Sequence, residues 1–337
     1  MTPNRRDVLT FAATAATAVT VGTTRPFAAE RRAALEDDRG DELPAYSQWL
    51  TLDDGGLEFT SVDWASLETY VEGELETILD DDTDVPAEYD ADPMIALPSD
   101  GMLSAYFFVG LDLVEYGLAR LLEEDAFEST IEGLVQLNEA FVVTGTIEPA
   151  EIDDRLTAEP ELEFIRRMER TDEIGEYDVY TPVEGESDAA IAVGGDALVI
   201  DTGGGRTDEA TDENDPVTIL QRTIGASEGN VERATDESEA FEWLVESAGR
   251  GDVVVGQYGD PSDTNADSTF EALEDAEGLV SSLTVEDEET STGDFAAIVA
   301  EPNEDALEEL LGASADEQSV DIDGDRVTAT ATWREVD

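Results

Sequence analysis

Apolar and polar positions recur along this chain with two different periods. In Arg326–Trp333, four apolar residues alternate with threonines, which is the period of a strand with one buried face. Pro149 suits the first turn of a helix, and Ile152 and Leu156 behind it recur four residues apart on one helical face. Segments of both kinds are interspersed and joined by turn-forming residues. The pattern therefore predicts an α+β fold with antiparallel sheets.

The same pattern sets the bounds of the predicted elements. The predicted strands are Leu57–Trp64, Leu103–Val109, Ala140–Ile147, Tyr177–Thr181, Ile191–Val193, Ala197–Ile200, Val253–Gln257, Leu279–Val285, Phe295–Val299, Val320–Ile322 and Arg326–Trp333. The predicted helices are Ser66–Leu79; a segment with the stripe Val114, Leu118, Leu121 and Leu122 and an Arg120–Glu124 pair; the segment after Pro149; Glu161–Arg170; residues near 217–225 and 237–248; and the segment after Pro302, which ends before Gly312.

Two parts of the chain repeat one order of elements. A strand containing Phe141 is followed by a helix and by a hairpin at Gly195-Asp196, and a strand containing Phe295 is followed by a helix and by a hairpin at Gly324-Asp325. The first copy carries an insertion between its helix and its hairpin. We interpret the chain as two related lobes built on strand–helix–β-hairpin units, and coincidence between two common motifs is the alternative.

The first residues resemble a twin-arginine export signal. Arg5 and Arg6 stand near the start, and a mildly apolar, uncharged run from Val8 to Gly22 follows them. This run is too short and too weakly apolar for a dedicated membrane-spanning helix. We expect the chain to engage the twin-arginine export machinery, and an uncleaved signal would leave an N-terminal membrane tether.

Charge and turn residues divide the chain into five segments. We predict a signal segment at 1–29, a flexible charged leader at 30–45, a first α+β lobe at 46–200, an acidic Gly-rich linker at 201–216 and a second α+β lobe at 217–337.

The charge balance indicates an environment of very high salt. The chain has 85 acidic and 17 basic residues, a formal net charge of −68, and no Lys. Such charge disfavours a compact state through self-repulsion, but at molar salt the Debye length falls to about 3 Å. Because 40% of the residues are apolar and lie in periodic runs, we expect a chain that is folded in salt rather than disordered. The acidity also argues against nucleic acid as a partner.

Several kinds of chemistry are excluded by residues that the chain lacks. His, Cys and Lys are all absent. This excludes Ser-His-Asp and Cys-His catalysis, Schiff-base chemistry, disulfides and the usual Cys/His zinc sites. We expect no cofactor. Catalysis by paired carboxylates remains available, but among 85 acids the sequence selects no pair.

Two short motifs could carry chemistry of another kind. Val199-Ile200-Asp201-Thr202-Gly203 matches the centre of the aspartic-protease motif, but that mechanism needs two such aspartates and only one copy is present. Asp321, Asp323 and Asp325 resemble part of a calcium loop, although Gly324 falls at the fourth position rather than the sixth. We interpret the first motif as a strand that enters a linker, and the second as a hairpin turn with weak metal candidates.

Three phrases carry a family resemblance over most of residues 55–337. They are Ala96-Leu97-Pro98-Ser99-Asp100 before an apolar segment, Tyr177-Asp178-Val179-Tyr180, and the hairpin that runs from Ala190 to Asp196. The chain resembles haloarchaeal proteins of unknown function exported by the twin-arginine pathway, and exported prokaryotic proteins whose domain opens with an Ala-Leu-Pro-Ala-Asp-type phrase. The resemblance implies no activity and no site residue.

The sequence therefore predicts a halophilic protein, exported to the cell surface or the medium, that is a non-catalytic domain protein. The alternative is an extracellular hydrolase that uses paired carboxylates.

Overall fold

The architecture is that of a computed structural model. It describes residues 43–53, 55–67, 89, 91–123, 126–160, 162, 164–183, 189–201, 215–259, 270–287 and 290–334. The signal segment with Arg5 and Arg6, and most of the leader, lie outside these residues.

Twelve strands and six α-helices account for most of the described residues. The strands are β1 Leu57–Val62, β2 Thr130–Leu137, β3 Ala140–Thr146, β4 Met168–Ile174, β5 Tyr177–Pro182, β6 Ile191–Val193, β7 Ala197–Asp201, β8 Val253–Tyr258, β9 Ala276–Val285, β10 Thr290–Val299, β11 Glu317–Asp323 and β12 Arg326–Arg334. The helices are α1 Pro93–Glu115, α2 Pro149–Thr157, α3 Pro216–Ser227, α4 Ala234–Glu237, α5 Glu239–Ala248 and α6 Glu304–Leu310, with short 3₁₀ helices at Ala45–Trp49 and Glu271–Leu273. The predicted α+β class is confirmed.

All twelve strands form one antiparallel sheet. Its order is β11-β12-β10-β9-β8-β1-β2-β3-β7-β6-β5-β4. The strands of the predicted first lobe fill one half of the sheet and those of the predicted second lobe fill the other, and β1 pairs with β8 where the halves meet. The two lobes therefore share one continuous sheet.

The two halves have the same strand order, read outward from the centre. The first half runs β1-β2-β3-β7-β6 and the second runs β8-β9-β10-β12-β11. In each half, a helix and a later hairpin follow the third strand. The second strand of that hairpin pairs with the third strand, as β7 pairs with β3 and β12 pairs with β10. The predicted strand–helix–hairpin repeat is present in both halves. The insertion in the first half is the hairpin β4–β5, which extends the sheet beyond β6.

Helices pack on both faces of the sheet. On the first face, α1, α2 and α6 cover alternate strand residues, among them Phe141 in β3 and Phe295 in β10. On the second face, α3, α4 and α5 cover the intervening residues, such as Val142 in β3 and Ala296 in β10. This alternation follows from the period-two geometry of strands, and it makes the molecule three layers thick.

Helix α1 lies across the centre of the sheet. Gly101 faces the paired residues Thr60 in β1 and Val255 in β8, and a Cβ at Gly101 would lie 2.3 Å from the Val255 Cγ2 atom. Glycine thus lets the helix backbone approach the sheet closely. By length and composition α1 could cross a membrane, with a mean hydropathy of 1.3 over its most apolar window, but half of that window is buried inside the fold.

The expectation of a strand at Leu103–Val109 is wrong, because these residues belong to α1. Met102, Ala105, Val109 and Leu113 are buried at helical spacing. A short apolar run fits a buried strand and a buried helix equally well, and the length of the element decides between them only when its start is recognised. That start is Asp92, whose side chain accepts from the Met94 backbone N–H at 3.1 Å.

Two neighbouring expectations also need correction. Residues 168–170 of the predicted helix Glu161–Arg170 lie in β4, an edge strand with mostly exposed side chains. The predicted stripe from Val114 to Leu122 runs past the end of α1 at Glu115 into turns, although Leu118 and Leu121 are buried as expected. Arg120 pairs with Glu123 at 2.6 Å, and Glu124 lies outside the described residues.

Two predicted segments, the linker and the helix at Ser66–Leu79, lie largely outside the described residues. The linker predicted at 201–216 begins at the last residue of β7 and ends at the first residue of α3, and residues 202–214 are not described. Of the helix predicted at Ser66–Leu79, only the first two residues are described, and both are helical. The helices predicted near 217–225 and 237–248 are confirmed by α3, α4 and α5.

Candidate functional site

An array of hydroxyl groups lies on the second face of the sheet, on β9, β10 and β12. We call it the hydroxyl face. Residues directly opposite one another in antiparallel strands share a face, as do residues two apart in one strand. The face consists of Thr284, Thr290, Thr292, Asp294, Thr328, Thr330 and Thr332. Thr330 is exposed and the other six are half-buried.

The residues of the hydroxyl face stand in rows across the strands. Thr284, Thr292 and Thr332 are direct partners across β9, β10 and β12, and Asp294 is the direct partner of Thr330. Neighbouring strands lie about 4.8 Å apart, and residues two apart in a strand lie about 6.8 Å apart. The hydroxyl groups are therefore displayed at regular intervals on a rigid support.

In the first half of the sheet, the surface equivalent to the hydroxyl face is covered by a helix. There β7, which corresponds to β12, carries Ala197 and Val199 on the second face, and both pack with Ile219 and Leu220 of α3. In the second half, α5 packs on β9 and β10 near Ala296 and Ile298, and the threonines of β12 remain at the surface. Equivalent strands therefore differ between the halves: β7 is buried under a helix, whereas β12 carries threonines at the surface.

A polar cluster at the end of α1 is the second candidate site. Asp112 and Glu115 lie in the last turn of α1, and Arg166 precedes β4. The Arg166 Nε donates to Glu115 Oε2 at 3.1 Å, and the Arg166 backbone N–H donates to the Glu115 carbonyl at 2.7 Å. The cluster is completed by Asp201 at the end of β7, which lies within electrostatic range of Asp112.

Asp112 is the group in this cluster that can exchange a proton near neutral pH. Burial, together with the charges of Glu115 and Asp201, raises the pKa of Asp112 to about 7, while the charge of Arg166 opposes this shift. Burial also raises the pKa of the neighbouring Tyr116. Asp201 itself is only 3% exposed, so its carboxyl group is closed to a substrate in this conformation. The pair combines a proton-exchanging acid with a buried acid.

A shallow open pocket lies between residues 51–53, the turn that joins β2 to β3, and α3. Arg222 of α3 reaches into it and forms ion pairs with Asp53, at 3.3 Å, and with Glu139. The Nε of Arg222 is buried without a hydrogen-bond partner. Because two carboxylates already face this guanidinium, the pocket is best explained as a structural ion-pair site.

The metal candidates predicted from the sequence lie on an exposed edge. Asp321 and Asp323 are exposed residues of edge strand β11, and Asp325 lies in the turn with Gly324, whose φ is 71°. Within the described ranges, no three His, Cys, Asp or Glu side chains are grouped so that they could hold a metal ion. Gly324 and Asp325 form the turn of the hairpin that the sequence indicated, and Asp321 and Asp323 lie in the strand that leads into it.

The four tryptophans, whose rings could stack on a sugar, are mostly core residues. Trp49, Trp64 and Trp333 are at most 6% exposed. Trp243 of α5 is half-buried, and the guanidinium of Arg326 lies over its ring at 4.6 Å from the centroid. Trp243 and Arg326 mark the end of the hydroxyl face nearest α5.

Comparison with known proteins adds little. No protein-family model matches the chain, and no curated protein matches it significantly. Among solved structures, the chain is similar to crystal form III of TP0453, with 9% identity, a TM-score of 0.42, and coverage of 88% of this chain and 96% of that one. It is similar to crystal form I of TP0453 with 9% identity, a TM-score of 0.41, and coverage of 87% and 94%. Likeness at this level carries no functional argument.

Proposed function

We propose that the protein is an exported, salt-adapted binding protein that is retained at the cell surface and catalyses no reaction. The single observation that carries this proposal is the hydroxyl face, because it is an open, rigid and regular surface in a fold whose equivalent surface is buried. The apolar run behind Arg5 and Arg6 supports export. The net charge of −68 supports work in molar salt.

The composition of the hydroxyl face supports its role in binding. Six of the seven residues of the face are threonines, whose hydroxyl groups can both donate and accept hydrogen bonds. The rims of protein interfaces are polar and accessible to solvent. The edges of this face carry such a rim, with Glu317 and Asp321 on β11 and Arg334 at the end of β12.

Retention at the cell surface tests the proposal. The variant Thr292→Val/Thr330→Val/Thr332→Val removes three hydroxyl groups while it keeps the branched shape that suits a strand. In a salt-adapted host, we expect the wild type mainly in the cell-surface fraction and the variant mainly in the medium. The matched control is Thr146→Val/Thr171→Val/Thr181→Val, which changes three strand threonines of the first half. Equal retention of both variants and the wild type would refute binding through this face.

Export itself is tested with Arg5→Lys/Arg6→Lys. We expect the variant to accumulate inside the cell, since the paired arginines are the feature of the signal that the machinery reads. Wild-type amounts of the variant outside the cell would show that another route is used.

A carboxylate-based hydrolase is the second candidate function, and the coupling of Asp112 with the exposed Glu115 favours it. Acid–base catalysis needs two carboxyl groups whose pKa values differ, and Asp112 is poised to keep a proton near pH 7. A panel of chromogenic glycosides assayed in molar salt would reveal such activity. Activity that survives Glu123→Gln but is lost in Asp112→Asn would favour the hydrolase over the binding protein.

A further inference from the structure

Helix α1 carries an apolar stripe on the side turned away from the sheet, which we call the outer stripe. It consists of Leu103, Phe107, Gly110 and Val114, whose intervals of four, three and four residues place them on one side of a helix. Phe107 is 37% exposed and the other three are half-buried, whereas Val109, on the opposite side, packs in the core. We infer that the outer stripe binds the outer stripe of a second copy of this chain, with the two helices antiparallel.

Gly110 is the first observation that points to a contact outside the molecule. Glycine destabilises the interior of a helix relative to alanine, so its presence there needs a reason. For Gly101 the reason lies within the fold, because a Cβ at that position would lie 2.3 Å from Val255 Cγ2. For Gly110, no atom of the described residues lies within 4 Å of a Cβ built there. A close approach by a second molecule would explain this glycine.

The order of residues in the outer stripe selects a second copy as that molecule. In an antiparallel pair with its twofold axis between residues 108 and 109, Phe107 of each copy lies opposite Gly110 of the other, and Leu103 lies opposite Val114. The Phe107 ring is a knob, and the space over Gly110 is a hole that can receive it. A twofold interface requires both members of each complementary pair on the same surface, and the outer stripe provides both.

The surroundings of the outer stripe are compatible with such a pair. Phe108 and Leu111 flank it and are 47% and 49% exposed, and residues 101–111 carry no charged side chain. The acids at its two ends, Asp100 and Glu115, come near each other across the pair, and at molar salt the Debye length of about 3 Å limits their repulsion. The stripe is about 18 Å long, from the rise per residue of a helix. Because small interfaces are typical of transient complexes, we expect a dimer that dissociates in the micromolar range.

This pairing goes beyond the proposed function and does not depend on it. Helix α1 covers the first face of the sheet, and the hydroxyl face lies on the second. Two copies joined through their outer stripes therefore leave both hydroxyl faces uncovered.

Sedimentation velocity of the full chain in molar NaCl, over concentrations from about 1 to about 100 μM, tests the inference. The variants are Gly110→Phe, Phe107→Gly, and the exchange Phe107→Gly/Gly110→Phe. The matched control is Phe164→Ala, which changes a phenylalanine that is 57% exposed and lies outside α1. Far-UV circular dichroism checks that each variant is folded.

We expect the wild type and Phe164→Ala to form a dimer with the same dissociation constant. Gly110→Phe sets one ring against another, and Phe107→Gly leaves two holes unfilled, so each should raise the dissociation constant about tenfold or more. The exchange variant restores one knob and one hole at each paired position, and it should return the constant towards the wild-type value.

Three outcomes would overturn the inference. A wild type that stays monomeric over the whole range would show that the outer stripe has another occupant, such as a lipid surface or another part of this chain. A dimer that neither single variant weakens, or that Phe164→Ala weakens equally, would form through another surface. Weakening by both single variants without recovery in the exchange variant would show that Phe107 does not lie opposite Gly110.

Discussion

Asp92 joins the start of α1 to the second half of the molecule, and its replacement tests how this connection contributes to stability. The Asp92 carboxylate is fully buried and accepts four hydrogen bonds. Oδ1 accepts from the backbone N–H groups of Met94 and Gly312, both at 3.1 Å. Oδ2 accepts from the Ser314 backbone N–H at 3.0 Å and from the Ser314 hydroxyl at 2.7 Å.

Asp92→Asn keeps the shape of the side chain and removes the charge and one acceptor oxygen. The new NH₂ group must face donors on one side of the carboxylate, and two hydrogen bonds are lost or inverted. Hydrogen bonds to a charged group are worth about 1.5–3 kcal/mol each, and a serine hydroxyl can turn to accept from the amide, so we expect a loss of about 3 kcal/mol. This is a large part of a native stability of about 5–15 kcal/mol.

Asp215→Asn is the matched control. Asp215 also precedes a proline at the start of a helix, and it accepts from the N–H groups of Val217, at 3.0 Å, and Thr218, at 3.4 Å. It is exposed, and Asn caps helices about as well as Asp, so its replacement should cost less than about 0.5 kcal/mol.

Urea unfolding in molar salt, followed by circular dichroism and by tryptophan fluorescence, measures both variants. Trp333 Nε1 donates to the Ser314 hydroxyl at 2.9 Å, so fluorescence reports directly on the connection. Equal, small losses in Asp92→Asn and Asp215→Asn would show that the bonds to Gly312 and Ser314 contribute nothing to stability.

Three further predictions concern pH, packing and salt. Because the folded state keeps a proton on Asp112 that the unfolded state releases, the free energy of unfolding should fall as the pH rises from about 4 to about 7. Asp112→Asn should flatten this fall and stabilise the protein at pH 8 by about 1–2 kcal/mol after solvent screening, as measured by urea unfolding at a series of pH values. Gly101→Ala should cost about 1–3 kcal/mol because the added Cβ meets Val255, whereas Gly110→Ala, with open space around it on the same helix, should cost nothing, and equal melting temperatures would contradict the close approach. Stepwise dialysis from molar salt to about 10 mM, where the Debye length is about 30 Å, should unfold the chain, and an unchanged circular dichroism spectrum would show that salt is not required.

The repeated unit could be predicted from sequence because its signals are local. The strands at Phe141 and Phe295, the proline that opens α2, and the alternation in β12 each lie within one element. Helix α1 could not be assigned in the same way, because its apolar run has no clear period and the burial of Met102 and Val109 depends on a sheet built from distant strands.

The candidate sites depend on tertiary structure even more strongly. The alternation in β12 predicted that Thr328, Thr330 and Thr332 share a face, but their exposure follows from the position of α5, which no local pattern specifies. Asp112 and Asp201 are far apart in the sequence and meet only because the end of α1 lies near the end of β7. Pairing of this kind carries no local signal that a single sequence could reveal.

The β1–β8 pair at the centre of the sheet has a consequence for how the sequences of the two halves can diverge. Two identical subunits joined edge to edge by antiparallel copies of their first strand would form an isologous dimer with this same strand order. In a true dimer, each substitution would appear on both sides of the twofold axis. Within one chain, the two sides are independent, so one could gain the β4–β5 hairpin and a helix over β7 while the other kept a face of threonines on β12.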